Sequence, residues 1–179
     1  MRIISEQGHI FEEWLTPEQI ATVVQQTAET ISADYEGRTP LFVVVLNGAF
    51  IFAADLIRRV NLRSEVTFIR VKSYEGMNSA GEVQMLVPLQ QSVRDRDVIV
   101  LEDIVDTGLT MHWLKEHLRK EGAASVRVAA LLCKPEKVQF PDAVPDYVAL
   151  DISNEFVVGY GLDLNGFVRN LDAIYKVKE

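Results

Sequence analysis

The sequence predicts an α/β fold with a central, mostly parallel sheet flanked by helices. Two stretches carry that prediction. Residues 98–101 (Val-Ile-Val-Leu) and 41–46 (Leu-Phe-Val-Val-Val-Leu) are unbroken apolar runs, as a strand buried on both faces requires. Each is followed by a polar turn and then by a helical pattern, the strand, turn, helix order of a parallel unit.

The elements follow in order. Thr16-Pro17-Glu18-Gln19 combines an N-cap, a proline at the first helical position and a glutamine three residues after the cap. A helix is expected to near Tyr35, with Ile20, Val23, Val24, Thr27 and Ile31 inward, closed by 37–40. Strand 41–46 is broken by Asn47-Gly48 before a helix over roughly 49–60. That turn places backbone N–H groups where an anion docks. Residues 66–71 read as a third strand, leading through a long polar loop, 72–82, to a strand-like run at 83–87. After strand 98–101 come three carboxylates, Glu102, Asp103 and Asp106, in the turn, and then Thr107-Gly108-Leu109-Thr110. Met111, Trp113, Leu114 and Leu118 then recur at helical spacing until Gly122 supplies a stop. Residues 125–132 give a further strand ending in Cys133-Lys134-Pro135, and the last segment is 145–150 followed by 156–169.

Composition bounds the class. The chain has 179 residues, 48% hydrophobic and 25% charged, which fits one soluble globular domain spanning 1–179. The net charge of −8 weighs against a nucleic-acid partner. It leaves room for a phosphate held locally by dipoles and metal. No signal-peptide core follows Met1, and no stretch reaches the ~18 apolar residues of a membrane span, so a cytoplasmic protein is expected. Cys133 is the only cysteine and is expected to be a small core residue. His9, His112 and His117 form no metal-ligand pattern with it, because His112 and His117 are five apart, off the i, i+4 spacing.

In an open α/β sheet the ligand crevice lies beyond the carboxyl ends of the strands. There Thr107, Gly108 and Thr110 offer hydroxyls and free N–H groups at a helix N-terminus, which suit a phosphate. Glu102 and Asp103 would repel that phosphate but accept protons from hydroxyls. A ribose 5-phosphate has this layout. Neither a P-loop string nor Gly-x-Gly-x-x-Gly occurs. The plainer alternative is a solvated turn with Asp106 as helix N-cap.

The stretch from 98 to 110 resembles the phosphoribosyl-diphosphate signature of the type I phosphoribosyltransferases: a hydrophobic strand, two acids, two apolar residues, Asp, Thr, Gly, any residue, Thr. Phe156-Val157-Val158-Gly159-Tyr160-Gly161-Leu162-Asp163, with Arg169 six residues later, resembles the carboxyl-terminal signature of the hypoxanthine-guanine branch. The resemblance covers nearly all of the chain from Leu41 on. It implies the type I phosphoribosyltransferase fold, with a small hood formed by terminal segments. It also implies purine salvage: transfer of 5-phosphoribosyl from phosphoribosyl diphosphate to N9 of hypoxanthine or guanine, giving IMP or GMP and pyrophosphate. The alternatives are a xanthine-preferring enzyme and a non-catalytic regulator that senses the donor.

Carried over residue by residue, the resemblance makes Asp106 the general base. Glu102 and Asp103 hold the ribose hydroxyls and, with Asp163, Mg²⁺. Thr107, Gly108, Leu109 and Thr110 hold the 5-phosphate. Leu46, Asn47, Gly48 and Arg169 serve the pyrophosphate, and Ser73 and Tyr74 open a lid. Lys134 hydrogen-bonds the 6-oxo group of the purine, Phe156 stacks on its ring and the Val157 backbone contacts its edge. Similar enzymes are homodimers or homotetramers acting on small molecules, not on nucleic acid or membranes. Three positions depart: Asn47, Leu109 and Glu155 stand where some members have Lys, and an acid at 155 bears on the balance between bases.

Overall fold

The computed structural model describes residues 2–76 and 79–178, with side chains described outside 74–82. In chain order the elements are β1 (Ile3–Glu6), β2 (His9–Leu15), α1 (Pro17–Asp34), β3 (Leu41–Leu46), α2 (Phe50–Ile57), β4 (Glu65–Gly76) and β5 (Ser79–Val87). They continue with β6 (Asp97–Val105), α3 (Leu109–Lys120), β7 (Ser125–Cys133), two 3₁₀ turns (Pro135–Lys137 and Pro141–Ala143), β8 (Tyr147–Asp151), β9 (Val157–Val158) and β10 (Ile174–Val177). No helix among the described residues is long and apolar enough to cross a membrane.

The larger sheet has the order β5-β4-β3-β6-β7-β8. Its ladders are parallel except for β5, which runs antiparallel to β4. β3 and β6 lie at its centre with both faces covered, which is why their apolar runs are continuous. Phe42, Val44, Ile99 and Leu101 pack under α1 and α2 through Ile20, Val24, Ile31, Phe52 and Leu56. On the opposite face Val43, Val100 and Val128 pack under α3 through Met111, Leu114 and Leu118. Helix α1 begins as its sequence requires. Thr16 Oγ1 accepts from the Gln19 N–H at 3.3 Å, and Gln19 Oε1 accepts from the Thr16 N–H at 2.9 Å.

The smaller sheet, ordered β1-β2-β10-β9, is antiparallel and joins early and late parts of the chain. It forms the hood, with its own core of Phe11, Val158, Ala173 and Tyr175.

Three expectations change. Strand β6 runs on to Val105, so Glu102 and Asp103 are strand residues rather than turn residues; Ile104 and Val105 keep the ladder going opposite Leu132 and Cys133. Helix α2 is shorter than 49–60 and spans Phe50–Ile57. The expected loop from Lys72 is largely the outer part of an antiparallel hairpin, with Lys72 opposite Gln84 and Ser73 opposite Val83. The side chain of Tyr74 lies outside the described residues.

Candidate active site

A cavity of about 280 Å³ opens at the carboxyl ends of β3 and β6, where the crevice of an open sheet belongs. Its lining brings together Leu46, Gly48, Ser73, Glu102, Asp103, and the whole run from Asp106 to Thr110.

Glu102 and Asp103 lie side by side at one wall. Glu102 is 7% exposed, and its Oε1 accepts from the Asp103 N–H at 3.2 Å; Asp103 Oδ1 accepts from the Ile104 N–H at 2.8 Å. Burial, and then the neighbouring Asp103 charge, pushes the Glu102 carboxyl well above its ordinary range. Burial also raises Asp103. Asp103 rests directly on the turn after β3: a Cβ built on Gly48 would lie 1.5 Å from its Oδ2. Only a residue without a side chain lets the turn and the carboxylate approach this closely. The Leu46-Asn47 peptide before it is cis.

The raised Glu102 carboxyl has a stability consequence. Both folded and unfolded states are protonated below the ordinary value of 4.5, so there is no penalty there; the penalty grows as pH rises through the higher folded value. Glu102→Gln is therefore expected to raise the melting temperature at neutral pH by about 2–8 °C while lowering activity, the trade of a strained acid at a working site. Melting curves at about pH 4 and pH 8 test this; an equal gain at both would rule out ionisation as its origin.

The opposite wall is the turn into α3. Gly108 is the N-cap with φ +84° and offers no side-chain cap, so Asp106 does not cap the helix. The first-turn N–H groups of α3 have no intrahelical partners and face outward from the helix end, free for an anion. A Cβ on Gly108 would come 2.8 Å from Ala143 Cβ. The segment 134–143 thus backs this turn closely. The Lys134 N–H donates to the Val105 carbonyl at 2.9 Å, and the Gln139 N–H to the Thr107 carbonyl at 2.9 Å. His112 stacks on Phe140 and its Nδ1 lies 2.7 Å from Asp142 Oδ1.

Asp106 carries two cations from that same segment. Lys134 Nζ donates to Oδ2 at 3.0 Å, and Lys137 Nζ forms an ion pair with Oδ1 at 2.9 Å. Desolvation pushes the Asp106 carboxyl up, but the Lys137 and Lys134 ammonium groups outweigh it and leave it below its ordinary range. It is ionised at neutral pH.

The hood supplies the remaining residues. Arg169 Nη1 donates to the Gly161 carbonyl at 2.6 Å, and Nη2 lies 2.7 Å from Asp163 Oδ1. Asp163 Oδ2 accepts from the Gly166 N–H at 2.6 Å, so both its oxygens have partners. A Cβ on Gly161, whose φ is +102°, would lie 2.1 Å from the Gly48 carbonyl. The turn after β3 is therefore held between Asp103 on one side and the hood on the other. Tyr160 fastens this contact by donating to Asp55 Oδ2 on α2 at 2.6 Å. Phe156 leaves 47% of its surface exposed, with Phe11 at 6.3 Å on one side. Glu155 pairs with Lys176, whose ammonium lies 4.0 Å from the Trp14 ring centroid, so the acid beside Phe156 is locally neutralised.

A model of the phosphoribosyl transferase domain matches residues 12–165. The chain belongs to the phosphoribosyltransferase family. It is 40% identical over 163 residues to the hypoxanthine-guanine phosphoribosyltransferase of Streptococcus thermophilus, covering 90% of each chain. Among solved structures it is similar to a hypoxanthine-guanine phosphoribosyltransferase from Bacillus anthracis, with TM-score 0.88 and 36% identity over 93% of this chain and 98% of that one. A hypoxanthine phosphoribosyltransferase from Staphylococcus aureus gives TM-score 0.89 and 36% identity over 93% and 91%.

In this phosphoribosyltransferase Leu46, Gly48, Glu102, Asp103 and the run from Asp106 to Thr110 share one cavity, Asn47 is not in its lining, and Lys134 meets Asp106 directly. Phe156, Val157, Asp163 and Arg169 stand on the hood and not in the cavity lining. Asp163 does not join Glu102 and Asp103, and the described residues contain no cluster of three or more His, Cys, Asp or Glu side chains. The sequence reading missed Lys137. Its signal was present in Lys134-Pro135-Glu136-Lys137, where a single 3₁₀ turn brings i and i+3 to the same side.

Proposed function

We propose that this phosphoribosyltransferase transfers the 5-phosphoribosyl group of phosphoribosyl diphosphate to N9 of hypoxanthine or guanine, in purine salvage. The observation that supports it most is the contact of Lys134 with Asp106, a donor and an acceptor 3.0 Å apart. The 6-oxo group and N7–H of a 6-oxopurine are adjacent on one edge and need that pair. Adenine offers a 6-amino donor where Lys134, a donor only, would meet it.

The bond from C1 to the pyrophosphate oxygen breaks as the bond from C1 to N9 forms, and the N7 proton passes to Asp106. Positive charge gathers on the ribose ring and negative charge on the leaving group. The N–H groups at the start of α3 and the hydroxyls of Thr107 and Thr110 hold the 5-phosphate, with Leu109 contributing backbone only. The Asn47-Gly48 backbone and Arg169 hold the pyrophosphate. Glu102 and Asp103 accept from the ribose hydroxyls, close to the developing cation. Phe156 covers the purine face and the Val157 backbone meets its edge. Ser73, at the cavity wall, belongs with Tyr74 to a cover that keeps water from capturing the ribosyl cation.

A pair of buried carboxylates with raised proton affinity fits a hard cation shared with substrate oxygens better than a closed protein cage. Mg²⁺ bound there would neutralise pyrophosphate charge. Glu102 and Asp103 would hold it, and Asp163 would join them only on exchanging its bonds to Arg169 and the Gly166 N–H for the cation.

The enzyme acts in the cytoplasm as a homodimer or homotetramer on this reading. Phe68, Leu86 and Val87 on the β4–β5 hairpin, each more than 40% exposed, support the assembly.

Initial rates with phosphoribosyl diphosphate and Mg²⁺ against hypoxanthine, guanine, xanthine and adenine test the assignment. Nucleotide should form rapidly with hypoxanthine or guanine and not with adenine. Donor binding without turnover on any base would make the chain a sensor instead.

A further inference from the structure

The general-base carboxylate has one cation more than the chemistry just described uses. Lys134 is committed to the purine oxygen. The Lys137 ammonium has no other partner among the described ion pairs and hydrogen bonds, and it sits 2.9 Å from Asp106 Oδ1. We infer that Lys137 is a positioning residue: it keeps Asp106 paired and oriented while the Lys134 ammonium turns to the 6-oxo group of the incoming base. The inference rests on the 6-oxopurine reading above.

The two lysines are not equivalent. The Lys134 side chain is only 10% exposed, and its backbone N–H is tied to the end of β6 through the Val105 carbonyl, so its ammonium is confined to a short swing around Asp106. The Lys137 side chain is 37% exposed and leaves from the end of the 3₁₀ turn, reaching Asp106 from the solvent side. When a base arrives, Lys134 shares or surrenders its bond to Oδ2. Were it the only partner, a partly desolvated carboxylate would lose its counter-charge at the moment it must accept a proton, and base binding would have to offset that loss. With Lys137 on Oδ1, the carboxylate stays compensated. It also stays in plane, with Oδ2 toward N7. No covalent step is involved; the effect is on the pairing of charges in the empty and filled pocket.

The test is steady-state kinetics on Lys137→Met, Lys137→Arg, Lys134→Met and the double variant Lys134→Met/Lys137→Met. Lys137→Met should raise KM for hypoxanthine about fivefold, the upper size of an ion pair at a partly exposed site. KM for phosphoribosyl diphosphate should stay within about twofold, because the donor site is untouched. Lys137→Arg should restore the base KM, since a second cation replaces the first. In the Lys134→Met background, removing Lys137 should add less than about twofold, because no ammonium remains to be released to the base. An unchanged base KM in Lys137→Met overturns the inference, as does an undiminished loss in the Lys134→Met background, which would mark a purely structural lysine. If the parent enzyme itself fails to use hypoxanthine, it is the 6-oxopurine reading that falls. The two failures are therefore separable.

Discussion

Asp106→Asn is expected to lower kcat with hypoxanthine by about 10³-fold, within the range that a positioned general base supplies. The amide is the same size but cannot accept the N7 proton. It also leaves the cations badly served. Its oxygen can meet Lys134 or Lys137 but not both, and its amino group would face the other ammonium at a site where both oxygens now carry ion pairs. Because the carboxyl lies below its ordinary range, the parent enzyme carries the charged form throughout the neutral region, so the deficit should be flat with pH there. Donor affinity, measured by calorimetry with phosphoribosyl diphosphate and Mg²⁺, should be nearly unchanged. A kcat within tenfold of the parent would remove Asp106 from the proton-transfer role.

Gly48→Ala is expected to cut kcat/KM for phosphoribosyl diphosphate by about 100-fold or more, the scale of a misplaced binding loop. The new Cβ would fall 1.5 Å from Asp103 Oδ2 and 2.4 Å from its Cγ. The carboxylate cannot give way freely, since its other oxygen holds the Ile104 N–H at 2.8 Å. Nor can the turn retreat, because its carbonyl is backed by Gly161 from the hood. Either Asp103, proposed to hold the ribose, or the turn backbone proposed to hold the pyrophosphate must leave its place. Comparing Gly48→Ala, Asp103→Ala and the pair decides the cause. If the clash is responsible, the double variant should be little worse than Asp103→Ala alone. Parent-like kinetics in Gly48→Ala would mean that the turn does not serve the donor.

Much of this site could be read in the sequence because its residues are contiguous. Strand β6, the acids and the start of α3 follow one another without interruption, and the apolar run of β3 ends at Asn47-Gly48. The N-terminal box of α1 is local as well. What escaped was non-local or ran against propensity. Two carboxylates inside a buried strand contradict strand preference, so Glu102 and Asp103 read as a turn; the ladder through Ile104 and Val105 overrides that, as happens at working sites. Strands β1 and β10 are four residues each and exist through pairing with β2, which no local pattern announces. Lys137 needed its partner Asp106, 31 positions earlier, to acquire a meaning.

The hood has a kinetic implication of its own. Its ladder joins Phe11 to Val177 and Leu15 to Ile174, a closure of about 160 residues, whereas the sheet beneath is assembled from neighbours far nearer in sequence. Such distant pairing is slow to form, and with a core of four buried side chains it is also the least expensive part to open. The ring of Phe156 and the guanidinium of Arg169 ride on it, while the phosphate turn does not. A nucleotide that touches both parts therefore clamps the chain's most remote segments together, and its release is linked to the same loosening that frees them.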